Sequence, residues 1–86
     1  MNTLQDRINL AISHFLKKNE LKKLDRASMA KYCGASVAAI GQWMNGKTLS
    51  LDSLKNAKAA QYLGVNPYWL AGDTKFDMTD FPATKD

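Results

Sequence analysis

The sequence predicts an all-α domain of five short helices, and three observations carry that expectation. Apolar residues recur at intervals of three and four with no alternating strand pattern anywhere. Good helix N-caps stand before most of these runs, at Asp25, Ser36, Ser50 and Asn66. Gly34, Gly46 and Gly64 stand where the runs end, in the position that favours a left-handed backbone.

The first helix is expected over Thr3 to Lys18. Leu4, Ile8, Ala11, Ile12, Phe15 and Leu16 form a single stripe, whose apolar face has to cover the rest of the chain. A polar, Lys-rich connection from Asn19 to Leu24 follows. Asp25 caps the second helix, with Leu24 and Met29 placed as a hydrophobic staple that fixes its start. Gly34 stops it, because the left-handed conformation costs glycine nothing and other residues about 1–2 kcal/mol. Ser36 caps the third helix. Ala30 and Ile40 then face one another across the turn, where a small residue at Ala30 lets the two helices cross closely.

A fourth helix is expected to be capped by Ser50 and to end near Gly64. Asn66 caps a fifth, with Pro67 at its first position and Val65 and Leu70 as its staple. The segment TKFDMTDFPATKD after Asp73 lacks a helical period and mixes Asp, Thr and Pro, so residues 73–86 read as a tail or linker and residues 1–72 as the domain.

Composition bounds the function. Eighty-six residues make room for one core, which buries only about 60% of the unfolded surface and leaves modest stability unless the chain dimerises. No apolar run reaches the roughly 18–20 residues needed to span a bilayer, and the N-terminal residues lack the pattern of a signal peptide. The chain therefore reads as cytosolic, without a membrane partner. One cysteine, Cys33, rules out an internal disulfide, and with the single His14 it falls short of the ligands for a protein-only zinc site. Cys33 reads as a small buried hydrophobe. No nucleophile motif, cofactor signature or small-molecule site is visible, so an enzyme is not expected.

Charge is unevenly placed. Residues 1–64 hold ten Lys or Arg against four Asp or Glu, a balance of +6, whereas residues 65–86 hold two against four, a balance of −2. A basic helical body suits the neutralisation of phosphates, although a net charge of +4 is common in small domains. The acidic end would be repelled by DNA.

The stretch from Asp25 to Asn45, with Ala30, Gly34, Ile40 and Trp43 at their spacing, resembles the helix-turn-helix of the lambda-repressor-like family. The likeness runs from about Leu24 to Gly72. It includes Asn45-Gly46-Lys47-Thr48, similar to that family's loop after the recognition helix, and LGVNPYWLAGD at 63–73, similar to its closing segment. Asn56 and Lys58 depart from it, standing where the family often keeps apolar residues.

The resemblance implies a compact five-helix DNA-binding fold whose second motif helix lies in the major groove. Val37, Ala38 and Gln42 then occupy the base-reading positions, and Gln42 has the chemistry to pair bidentately with adenine. Val37 and Ala38 can meet thymine methyl groups. Ile40 and Trp43 define the buried face of the same helix, and Gly41 reads as room for close backbone approach. Arg26, Ser36, Asn45, Lys47 and Thr48 fall where the family holds the DNA backbone, with Lys22, Lys23 and Lys31 as weaker candidates. Tyr68 and Trp69 are adjacent aromatics on a short helix, which can bury only one fully and leaves the other for core packing or a dimer contact.

The function implied is a sequence-specific transcriptional regulator of the phage or prophage repressor type, a homodimer on a two-fold operator. Such a chain is either a complete Cro-like protein or the N-terminal domain of a longer repressor. An antitoxin-like interaction module with secondary DNA binding is the alternative, and its tail should fold on a toxin partner.

Overall fold

A computed structural model describes residues 2–81, and within them the regular secondary structure is all helical, five helices in sequence order. α1 spans Leu4–Lys18, α2 Arg26–Cys33, α3 Val37–Asn45, α4 Ser53–Leu63 and α5 Pro67–Leu70. None of them is long and apolar enough to cross a membrane.

Local chemistry sets most of these boundaries. Thr3 and Asp6 form a reciprocal capping box at the start of α1: the Asp6 amide donates to Thr3 Oγ1 at 3.1 Å, and the Thr3 amide donates to Asp6 Oδ2 at 3.3 Å. α1 ends in a Schellman turn, the Leu21 amide donating to the Leu16 carbonyl at 2.8 Å, with Glu20 in the left-handed region at φ 56°. Asp25 caps α2, Ser36 caps α3 and Asn66 caps α5, each accepting from an amide three residues on.

The fourth helix begins later than the sequence suggested. Asp52, not Ser50, is its N-cap, accepting from the Lys55 amide at 2.8 Å. The choice is made by packing: Leu51, just before the cap, lies against the core, while Leu49 stays 86% exposed.

The core sits between the helices, with α1 and α2 on either side of it. Ile8, Met29, Ile40, Leu63, Val65 and Leu70 are fully buried, joined by Ala30, Cys33 and Trp43 from the α2–α3 pair. α1 packs on α3, α4 and α5, and α2 packs on α3 and α4. The two departures on α4 each have a partner. Asn56 is buried and its amide donates to the Pro67 carbonyl at 2.9 Å, tying α4 to α5, while the Lys58 ammonium lies 5.6 Å from the centre of the Tyr32 ring.

Beyond Gly72 the chain is not a loose tail as far as residue 80. The Asn66 amide N–H donates to the Met78 carbonyl at 2.8 Å, and the Asn66 side-chain amide donates to the Asp80 carbonyl. Met78 packs against the core and Phe76 stacks on Tyr68 with ring centres 5.0 Å apart. This strap has no helical period because it is held by single long-range contacts. The last residues of the expected tail, 82–86, lie outside the described residues.

Arg7 closes the N-terminal end of the domain. Its buried guanidinium donates to the Leu70 carbonyl at 2.8 Å, at the negative end of α5, and to Asn2 O and Oδ1 at 2.8 and 3.0 Å. Burial lowers its pKa from the ordinary arginine value, and those carbonyl acceptors supply the partners a buried cation needs.

Candidate nucleic-acid interface

α2 and α3 are joined by three residues, Gly34, Ala35 and Ser36, which make a tight helix-turn-helix. Gly34 is left-handed at φ 70°, and the Ala35 amide donates to the Ala30 carbonyl at 2.9 Å. Ser36 Oγ accepts from the Ala39 amide at 3.0 Å, which leaves the hydroxyl proton free to donate outward. Ala30 and Ile40, expected across the turn from each other, are both buried.

The helical period divides α3 cleanly. Ile40 and Trp43 go inward, whereas Val37, Ala38 and Gln42 are exposed together, Val37 with 48% of its surface open to solvent. The Gln42 side-chain amide makes no hydrogen bond to any described residue, so both its donor and its acceptor are available. A half-exposed valine beside an unpartnered amide is a surface with unspent contacts.

Donors flank this face on both sides. Arg26, at the first position of α2, is exposed and has no ion pair among the described residues. Its guanidinium lies against α3, where a Cβ on Gly41 would be 3.6 Å from Nη1. The space above Gly41 is thus shared with Arg26 rather than left open for backbone approach. A Cβ would fit there at ordinary contact distance, so this glycine is not required by packing.

After α3, Gly46 is left-handed at φ 87° and the Lys47 amide donates to the Gln42 carbonyl at 3.0 Å and to Asn45 Oδ1 at 3.1 Å. With its oxygen so engaged, Asn45 offers its NH₂ outward. Lys47 is exposed, Thr48 half-buried, and neither side chain has a hydrogen-bond partner among the described residues.

Two residues that the sequence did not single out hold this loop in place. Gln5 Nε2 and Asn9 Nδ2, one turn apart on α1, both donate to the Met44 carbonyl, at 3.2 and 2.9 Å. They satisfy an acceptor at the C-terminal end of α3 that has no intrahelical donor. Polar residues at i and i+4 beside the apolar stripe of α1 are a signal, but it does not say which carbonyl they reach.

Electrostatics at the turn follow from the cap. Hydrogen bonds from the Ser28 amide, at 3.1 Å, and the Ser28 hydroxyl, at 2.9 Å, occupy both Asp25 oxygens and hold its carboxyl below the usual carboxylate range. Burial pushes the Cys33 thiol up, which suits a packing residue. Among the described residues no His, Cys, Asp or Glu group is arranged to hold a metal ion.

Tyr68 and Trp69 divide as two adjacent aromatics on one turn must. Trp69 packs half-buried against the core, and Tyr68 is 56% exposed with one face on Phe76. Beside Tyr68 a mostly apolar groove, lined by Ser53, Asn56, Ala57, Pro67 and Ala71, separates α4 from α5. Acidic Asp73, Asp77 and Asp80 lie on the strap that crosses this end.

No protein-family model matches the chain, and neither the curated proteins nor the solved structures contain a match.

Proposed function

We infer that this chain binds double-stranded DNA in a sequence-specific way and regulates transcription, in the manner of a phage or prophage repressor. The single observation that carries this reading is the outward face of α3. It sets Val37, Ala38 and an unpartnered Gln42 side by side, with unpaired Arg26 before the helix and Asn45, Lys47 and Thr48 after it. This is a binding role, and no catalytic group is assigned.

In this reading α3 enters the major groove, and the Gln42 amide meets the N6 and N7 edge of an adenine while Val37 and Ala38 meet thymine methyls. Arg26, Ser36, Asn45, Lys47 and Thr48 hold the phosphates on either side, which fixes register without reading sequence. Only one of the three base-facing side chains is polar. DNA shape and the spacing of two half-sites therefore supply much of the discrimination. A homodimer on a two-fold operator, with half-sites about 34–36 Å apart, places two copies of α3 in successive major grooves on one face. The α5 end, with Tyr68 outermost, is the candidate dimer contact. The strap favours this reading over an antitoxin-like module, since Phe76, Met78 and Asp80 are already engaged by Tyr68 and Asn66 of their own domain. A cytoplasmic location follows from the DNA partner.

Selection of bound sequences from random duplex DNA, with the wild type and Gln42→Ala, tests the proposal. The expected outcome is a two-fold site for the wild type and relaxed preference at one base pair per half-site for the variant, by about 1–3 kcal/mol. Recovery of no preferred sequence by the wild type, with affinity barely dependent on salt, would overturn it.

A further inference from the structure

A cleft of about 720 Å³ opens between α1, the connection before α2 and the C-terminal part of α3, lined by Ile12, Lys23, Leu24, Asp25, Arg26 and Met44. Its lining divides by chemistry. Ile12, Leu24 and Met44 give an apolar floor, all three belonging to or packed against the core. Lys23 and Arg26 stand over it as cations with no ion pair to any described residue. The one acid, Asp25, keeps its negative charge, because hydrogen bonds from Ser28 stabilise its carboxylate, so the lining carries two cations against one anion and its surplus charge is positive. The polar side chains without a partner in the cleft are thus the two cationic donors, set above an apolar surface, a pairing that fits an anionic head on an apolar body.

We propose that this cleft binds a small amphipathic monocarboxylate, its head on Lys23 and Arg26 and its chain along Ile12, Leu24 and Met44, in competition with DNA. The competition half rests on the DNA-binding reading above; the site itself does not. Arg26 connects the two, because the same guanidinium lines the cleft and lies against α3 at Gly41. A carboxylate held there takes the charge that a phosphate would otherwise meet, so an occupied cleft weakens DNA binding through a shared residue and needs no change of fold.

The test is a backbone amide chemical-shift titration of the full chain with sodium octanoate, below its micellar range, without DNA. Acetate, hexanoate, inorganic phosphate and 1-octanol are the comparison probes. Octanoate is expected to shift Lys23, Leu24, Arg26 and Met44, with affinity rising about two- to fourfold per methylene along the series. Arg26→Gln and Lys23→Gln should each weaken it by about three- to tenfold, with unchanged thermal stability because both side chains are exposed. Equal binding of 1-octanol, equal binding of phosphate, or shifts centred on Ala57 and Tyr68 in the α4–α5 groove would overturn the site. A second arm adds octanoate to the chain on its selected operator, where affinity for DNA should fall as the cleft fills. Cleft binding with undiminished DNA affinity would overturn the competition alone. Cleft binding by a chain that selects no DNA would sink the DNA-binding reading and leave the site standing.

Discussion

Gly46 closes α3 at φ 87°, and a Cβ built on it would stand 2.7 Å from Gln5 Oε1 and 3.1 Å from Gln5 Cδ. Gly46→Ala therefore adds two costs. The left-handed backbone costs a non-glycine residue about 1–2 kcal/mol, partly offset by the smaller unfolded-state entropy of alanine, for a net of about 1 kcal/mol. Gln5 is also pushed off the Met44 carbonyl, which it reaches at 3.2 Å, and a lost hydrogen bond of this kind is worth about 1 kcal/mol. Asn9 still holds that carbonyl at 2.9 Å, so the acceptor is not orphaned and the second term stays at that size.

Gly34→Ala provides the internal reference. Gly34 is equally left-handed, at φ 70°, but nothing lies within 4 Å of its Cβ position, so it should show the backbone cost alone. Urea denaturation should then give a loss of about 1 kcal/mol for Gly34→Ala and about 2 for Gly46→Ala, or thermal shifts of about 4–8 °C and twice that. In a Gln5→Ala background the extra cost at Gly46 should vanish, because the side chain it collides with is gone. Equal losses at the two glycines, or an unchanged Gly46 penalty without Gln5, would show that the Gln5 contact does not position the end of α3.

Three further outcomes follow from the same geometry. Lys47→Ala should lower DNA affinity evenly across sequences and reduce the slope of log affinity against log salt by about 1, from a wild-type slope of about −5 if six phosphates are neutralised; titrations at several salt concentrations measure it. Asn66→Ala removes the α5 cap and the bond to the Asp80 carbonyl from a fully buried position, so stability should fall by about 2–3 kcal/mol in urea and limited proteolysis should cut within residues 73–81. Asp25 and Asp52 both have carboxyls lowered from the usual 3.8 by hydrogen bonds from the amides they cap, so each favours the folded state above that value. Stability should hold as pH falls toward 4 and drop below it as the carboxylates protonate, and Asp25→Asn with Asp52→Asn should flatten that acid limb.

What was legible in the sequence is what local chemistry decides. Asp25, Ser36 and Asn66 cap helices because a short polar side chain reaches back to an amide three residues on, and Gly34, Gly46 and Gly64 end them because the backbone there is left-handed. The inward Ile40 and Trp43 and the outward Ala38 and Gln42 of α3 follow from its period, whereas Val37, three residues before Ile40, falls at the margin of the buried face and only the family resemblance put it outward. Position 50–52 shows the limit. Ser50 and Asp52 are both competent caps, and only the packing of Leu51 rather than Leu49 decides between them. The strap was hidden for the same reason, since Asn66 engages Met78 and Asp80 across twelve and fourteen residues with no repeating pattern to announce it.

At the candidate interface the hidden part bears on mechanism. The residues proposed to face the bases lie on one helix, but the groups that set their position come from elsewhere: Gln5 and Asn9 reach the end of α3 across more than thirty residues, and Arg26 crosses from α2 to Gly41. A side chain that is exposed on α3 can be altered without disturbing the fold, whereas the α1 side-chain amides hold the end of that helix through the Met44 carbonyl. Gln5→Ala with Asn9→Ala should therefore change the affinity of α3 for DNA while removing no atom from its outward face. If the double variant kept both its affinity and its site preference, α1 would support the core alone and α3 would hold its position through Ile40 and Trp43.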